Sequence, residues 1–218
     1  MTLGERLQIV RDRTMQSKSG RAAWQEVMAH LTAGAIEAAA LSVGQQMPPF
    51  LLPNADGRLV SSDEMLADGP LVVSFFRGDW CPWCSITLEY LQAALPDIAA
   101  TGARLVALVA DTGGRLQQTR QRYSLEFDLL CDVDHAVALQ FGIVFRLPDL
   151  YRAGLAANGI DLTIRQGHAG WFVPVPATYV VDRSGIVRAR FLDIDFTRRP
   201  EPAAIIEAVQ ALGPARPQ

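Results

Sequence analysis

Apolar residues recur along this chain at two spacings, and the alternation between them lays out an order of helices and strands. From Leu3 to about Leu41 the spacing is helical, with Leu7, Ile9 and Val10 in a first segment and Trp24, Val27, Met28 and Leu31 in a second. The stretch Ser17 to Gly20 is expected to separate the two. Val43 to Pro49 then ends the pattern, because its two adjacent prolines lack N–H donors. Phe50 to Leu52 and Arg58 to Val60, joined across Asn54-Ala55-Asp56-Gly57, predict a short hairpin, and Ser61 or Ser62 is placed to cap a brief helix through Leu66. A continuous apolar run, Leu71 to Phe76, reads as a buried strand. The stripe Leu88, Leu91, Leu95 and Ile98 reads as the helix that follows it.

The same order then repeats. Arg104 to Ala110 is a second buried strand, Leu116 to Tyr123 a helix, Leu129 to Cys131 a short strand, and Asp134 to Phe141 a helix ended by Gly142. Between Ile143 and Phe172 the periodicity weakens, with one helical stretch from Leu150 to Ala157. Pro176 to Asp182 and Ile186 to Leu192, around Arg183-Ser184-Gly185, form the clearest hairpin, and Pro202 to Leu212 closes the pattern as an amphipathic helix. Alternating strands and helices predict an α/β fold with a central mixed sheet flanked by helices. The division expected is an N-terminal helical extension over 1–43, one domain over 44–213 and a short tail over 214–218. The extension reads as a structural wrap or an interface helix pair, with homodimerisation as an alternative role.

Length and charge narrow the function classes. With 218 residues, half of them hydrophobic, the chain has material for one substantial core. A formal net charge of −3 with scattered arginines argues against nucleic acid or an anionic membrane surface as partner. No apolar run approaches the roughly twenty residues of a membrane span. The N-terminus carries charges at helical spacing and lacks the apolar core of an export signal. Three cysteines are too few for a disulfide scaffold, so a reducing, cytoplasmic setting is expected.

Two of those cysteines lie in Arg77-Gly78-Asp79-Trp80-Cys81-Pro82-Trp83-Cys84, between the first buried strand and its helix. Unpaired backbone N–H groups and the positive end of the helix dipole favour a thiolate there. Pro82 suits the first helical position. Cys81, at the helix start, is expected to be the more open and more acidic thiol, and Cys84, one turn in, the more shielded. Thiols three positions apart can shuttle between dithiol and disulfide. The alternatives are half of a zinc site, for which only Cys131 and the dispersed His30, His135 and His168 remain as ligands, or a pair of inert core cysteines. No metal and no cofactor is expected. Arg77 is placed either to lower a thiol pKa or to pair with Asp79 or another acid; Trp80 and Trp83 are placed to bound a substrate groove, with packing as the alternative for Trp80. His135 and His168 read as surface or helix-capping groups, and Cys131 as a small core residue.

Trp80-Cys81-Pro82-Trp83-Cys84 after an apolar strand resembles the W-C-x-x-C site of thioredoxin, and Val175-Pro176-Ala177-Thr178-Tyr179 resembles that fold's cis-proline loop. More widely, Gly44 to Leu212 resembles the peroxiredoxin-like branch of the AhpC/TSA family. The matching points are Pro49-Phe50-Leu51-Leu52, Phe76 to Cys84, Leu129-Leu130-Cys131-Asp132 with Phe141-Gly142, and Tyr179-Val180-Val181-Asp182 with Gly185. The resemblance implies a thioredoxin-like fold and a thiol-dependent peroxidase that reduces hydroperoxides through Cys81 and Cys84, with a thioredoxin-like or glutathione-like thiol as reductant.

The family pattern P-x-x-x-T-x-x-C puts the attacking cysteine on Cys84, with Cys81 where the family has Thr and Arg77 where it has Pro. The usual active-site Arg falls on Pro176. The thioredoxin register instead makes Cys81 the nucleophile, with Val175 and Pro176 binding a substrate strand through their backbone. Alternative functions are a protein disulfide oxidoreductase without peroxidase activity and a redox-sensing interaction protein.

Overall fold

The computed structural model describes residues 1–213; the expected tail, 214–218, lies outside the described residues. Two helices open the chain, α1 (Leu3–Gln16) and α2 (Lys18–Ala33), followed by a single turn, α3 (Ile36–Ala39). Thr2 and Glu5 cap α1 reciprocally, and Ser17 alone separates α1 from α2 while its side chain accepts the N–H of Gly20. The break is one residue wide rather than four, because that serine both ends the first helix and caps the second.

The hairpin β1 (Leu51–Pro53) and β2 (Leu59–Ser61) is followed by α4 (Ser62–Asp68), which Ser61 caps. Next come β3 (Leu71–Phe75), α5 (Pro82–Ala93), α6 (Leu95–Ala100), β4 (Arg104–Val109), α7 (Arg115–Arg122) and β5 (Asp128–Cys131). The single helix expected over Leu88 to Ile98 is two, since Pro96 in the first turn of α6 supplies no backbone donor there. A 3-10 turn (Val133–His135) leads to α8 (Ala136–Gln140). Here too the expected helix is shorter, because Asp134 and His135 both adopt left-handed backbone. The Asp132 carboxylate takes the free N–H groups of Val137 and Ala138 at 2.8 and 2.9 Å and so sets the start of α8.

The region of weak periodicity contains β6 (Val144–Arg146), α9 (Asp149–Ala157), α10 (Leu162–Gln166) and β7 (Phe172–Pro174), with β6 and β7 paired antiparallel. The chain closes with β8 (Ala177–Val181), β9 (Val187–Leu192) and α11 (Pro202–Gln210).

The central sheet has the order β5-β4-β3-β8-β9, with β3, β4 and β5 parallel and β8 and β9 antiparallel to their neighbours. All five residues of β3 are buried, as its unbroken apolar run requires of a strand covered on both faces. Alternation splits the core in two. Leu71, Val73 and Phe75 join Phe141 and Tyr179 on one face, while Val72 meets Leu88, Leu91, Leu3 and Val27 on the other. The second face carries α5 at its centre, with α1 packed on α5 and α2 on α9. Among the described residues, no helix is long and apolar enough to cross a membrane.

Candidate active site

Strand β3 delivers the chain to the centre of the sheet edge, where Phe76 N–H still donates to Leu108 O at 3.1 Å. The next residues turn away over Gly78, whose φ of 128° is open to glycine alone; a Cβ there would lie 2.5 Å from the Trp80 ring nitrogen. Asp79 stabilises the turn. Its carboxylate pairs with Arg165, which also holds Asp111 at 2.6 Å, and its carbonyl accepts the Ser85 hydroxyl at 2.9 Å. Arg165 therefore acts on the loop before the cysteines and does not reach them. Cys81 is the N-cap of α5, Pro82 is its first residue, and Cys84 lies within its first turn.

Both thiols are free and fully buried. The expectation of an open Cys81 is thus corrected: Tyr151 from α9 and Phe196 from the segment after β9 close over the start of the helix, and no local pattern around the cysteines encodes them. Cys84, expected to be the shielded one, lines a cavity of about 310 Å³ together with Thr87, Leu88, Pro176, Thr178 and Arg199. Position along the helix set the expectation; the covering segments leave neither thiol exposed.

The buried cation at the centre is Arg77, 1% exposed. Its Nη2 donates to Cys81 Sγ at 3.3 Å and to the Tyr151 hydroxyl at 2.9 Å, while its backbone N–H points to Cys84 Sγ at 3.5 Å. Of the two readings of Arg77, the contacts select the thiol and not Asp79. The aromatic rings of Phe196, Trp80 and Tyr151 surround its guanidinium at 4.2, 5.2 and 5.3 Å. Their negative π faces offset part of the cost of burying the charge. A second guanidinium arrives from a segment that sequence reasoning missed: Arg199 Nη2 lies 3.7 Å from Cys84 Sγ. The only local signal was the dibasic pair Arg198-Arg199 before Pro200.

This field divides the two thiols. Burial pushes Cys81 up, but a hydrogen bond from Cys84 and the charges of Arg77 and Arg199 outweigh it and hold Cys81 well below the ordinary thiol range. For Cys84, burial and the charge on Cys81 act together and push it well above that range. The same field therefore favours a negative charge on Cys81 over one on Cys84.

Other expected residues fall in different places. Trp83 is buried and packs edge-on against Phe196 at 5.6 Å; it does not border an open groove. Trp80 is half-buried under Arg77. The Val175–Pro176 peptide is not cis, and the Val175 N–H is taken by Ile143 O at 2.7 Å. That donor is committed to the β6–β7 junction and Val175 is wholly buried, so this N–H is not free to bind a substrate strand. Pro176 instead forms part of the cavity wall. His135, expected at the surface, is 2% exposed, and burial lowers its pKa to about 4. Cys131 is a core residue as expected: its S–H donates to Asp111 O at 3.3 Å, and burial with the nearby Asp132 and Asp111 raises it to about 11.

Known proteins are similar to this chain at the level of family and fold. A putative peroxiredoxin bcp of Coxiella burnetii is 26% identical over 149 residues, 68% of this chain and 87% of that protein. The chloroplastic peroxiredoxin Q of Suaeda salsa is 27% identical over 69% of this chain, which spans only 59% of that protein's length. Among solved structures, the peroxidoxin BcpB of Mycobacterium tuberculosis superposes with a TM-score of 0.62 at 19% identity, covering 79% of this chain and 98% of that one. Residues 43–190 match the AhpC/TSA family model, well over half of the chain. The chain therefore belongs to the AhpC/TSA family.

Proposed function

We propose that this protein is a thiol-dependent peroxidase that reduces hydroperoxides through a dithiol–disulfide cycle between Cys84 and Cys81. The observation that carries the reading is a pair of buried thiols at one helix start, Cys81 contacted by the Arg77 guanidinium and Cys84 by that of Arg199, with Cys84 on the wall of a 310 Å³ cavity. The names of its relatives, peroxiredoxins, support the same chemistry. The domain over 44–213 carries this activity, with 1–43 as an extension to it. Three free cysteines suit a reducing, cytoplasmic compartment.

The field favours the charge on Cys81, whereas the cavity reaches Cys84. Transfer of the proton from Cys84 to Cys81 moves the charge to the sulfur that meets the peroxide. The Cys84 thiolate then attacks the terminal oxygen; the O–O bond breaks, Cys84 becomes a sulfenic acid, and the alkoxide takes the proton from Cys81 to leave as an alcohol. Arg199 and the Arg77 backbone N–H stabilise the charge as it moves onto oxygen. The Cys81 thiolate next attacks the Cys84 sulfur, and hydroxide leaves, taking a proton from solvent to become water. The disulfide that forms protects Cys84 from further oxidation. A thioredoxin-like or glutathione-like thiol restores the pair by exchange.

The test is dimedone trapping and peroxide consumption with Cys81→Ser and Cys84→Ser separately. Cys81→Ser should still consume peroxide and form a trapped sulfenic acid, while Cys84→Ser should do neither. The reverse pattern transfers the attack to Cys81. Reduction of insulin disulfides by a wild-type protein that consumes no peroxide refutes the peroxidase reading itself.

A further inference from the structure

The thiols are fully buried, and the segment that covers them is tied to the far end of the chain. Asp195, 7% exposed, lies just after β9 and precedes Phe196, which packs on Arg77, and Arg199, which reaches Cys84. Its carboxylate is gripped from the N-terminal helices. Arg11 of α1 donates to Oδ2 at 2.7 Å, and the Trp24 indole of α2 donates to Oδ1 at 3.3 Å. Arg11 also lies over the Trp24 ring, 5.3 Å from its centroid, so the two donors are braced against each other.

The same carboxylate accepts the N–H and hydroxyl of Thr197 at 3.2 and 2.7 Å, which turns the chain so that Phe196 faces Arg77 and the guanidinium of Arg199 faces Cys84. The segment is fastened again at its other end, where Glu201 accepts the N–H groups of Leu3 and Gly4 at 3.1 and 2.7 Å. A third tie holds the opposite side of the cover: Glu26 of α2 accepts the N–H of Leu150, next to Tyr151.

We propose that Asp195 is a positioning residue for the dithiol site, and that residues 1–43 set the reactivity of Cys81 and Cys84 by clamping it through Arg11 and Trp24. The inference rests on the reading of this pair as the reactive one, but not on peroxide as its substrate. Release of the clamp frees Phe196 and Arg199 together, exposing the thiols and removing one of the two positive charges that lower the Cys81 thiol.

The experiment compares full-length Asp195→Asn, Arg11→Ala and Trp24→Phe with Arg6→Ala, which breaks an exposed ion pair between α1 and Glu89. Two readouts are taken on reduced, folded protein: the rate of alkylation by iodoacetamide at fixed pH, and the ultraviolet titration of the thiolate. Arg11→Ala should raise the alkylation rate about tenfold, the factor that matches one lost charge-assisted hydrogen bond, and shift the thiolate titration upward. Trp24→Phe should act in the same direction by less, Arg11→Lys should restore most of the wild-type behaviour, and Arg6→Ala should leave both readouts unchanged.

If Asp195→Asn fails to fold, the Arg11 and Trp24 variants decide. Unchanged alkylation and titration in folded Arg11→Ala overturns the proposal, and so does an equal effect of Arg6→Ala, which signals general loosening. Because neither readout uses peroxide, failure of the peroxidase reading and failure of this one are separable.

Discussion

Replacing Arg77 by Met tests the electrostatic account of the site at its centre. The side chains are of similar length, and a flexible thioether fills the cage of Trp80, Tyr151 and Phe196 that the guanidinium occupies. The fold should tolerate the change. Arg77 Nε and Nη1 are buried with no partner among the described residues, and the thiolate left without its cation can take up a proton instead of remaining a buried charge. The thiols should not tolerate it.

The guanidinium contacts Cys81 Sγ at 3.3 Å. A unit charge pair at about 4 Å and an effective dielectric of about 20 is worth ~4 kcal/mol, an upper bound of roughly three pKa units at about 1.36 kcal/mol each. Arg199, the Cys84 S–H and the helix N-terminus remain, so the thiolate titration should rise by less than that bound. Ultraviolet titration of the reduced protein reads it directly. Cys131, raised to about 11, titrates far above the window and does not interfere. Arg77→Lys keeps the charge without the planar fork and should shift by less. A folded Arg77→Met protein whose thiolate titrates as in the wild type would rule out this role of Arg77, and the low pKa would then belong to the helix start, the Cys84 S–H and Arg199.

Gly78→Ala should cost about 1–3 kcal/mol in chemical denaturation, because a side chain is strained at this backbone conformation and the added carbon meets Trp80. Little or no loss would mean that the loop before Cys81 relaxes freely. His135 is neutral in the fold, and burial lowers its pKa from 6.5 to about 4. Between those values the unfolded chain binds more protons than the native one. Its contribution is therefore complete above about 6.5 and is lost as the pH falls toward 4, up to about 3 kcal/mol. The difference in unfolding free energy between wild type and His135→Asn, measured along a pH series, should narrow across that window; a constant difference would contradict the assignment.

Much of the fold was legible along the chain because its causes are local. The unbroken apolar run of β3 announces a strand covered on both faces, the Asp-Gly and Ser-Gly turns announce their hairpins, and Pro82 after Cys81 marks a helix start. Where local signals misled, a tertiary contact or a single backbone geometry had overridden periodicity. Asp134 and His135 look helical by spacing but are left-handed because Asp132 caps the next turn from outside. His135 looks like a surface residue but is buried against Gln166.

By itself, the sequence determined that this protein carries two thiols at a strand-to-helix junction in an α/β fold, since the spacing of the cysteines and the elements on either side are properties of one continuous segment. Only the tertiary structure decided the electrostatics of those thiols. Arg77 is four residues from Cys81, yet its orientation toward sulfur depends on Tyr151 and Phe196; Arg199 is 115 residues from Cys84, and Asp195 is tied to Arg11 across 184. Charges act over a few ångströms in space and leave no periodic trace along the chain, so which thiol holds the proton and which meets the cavity emerges only when five distant segments are packed together.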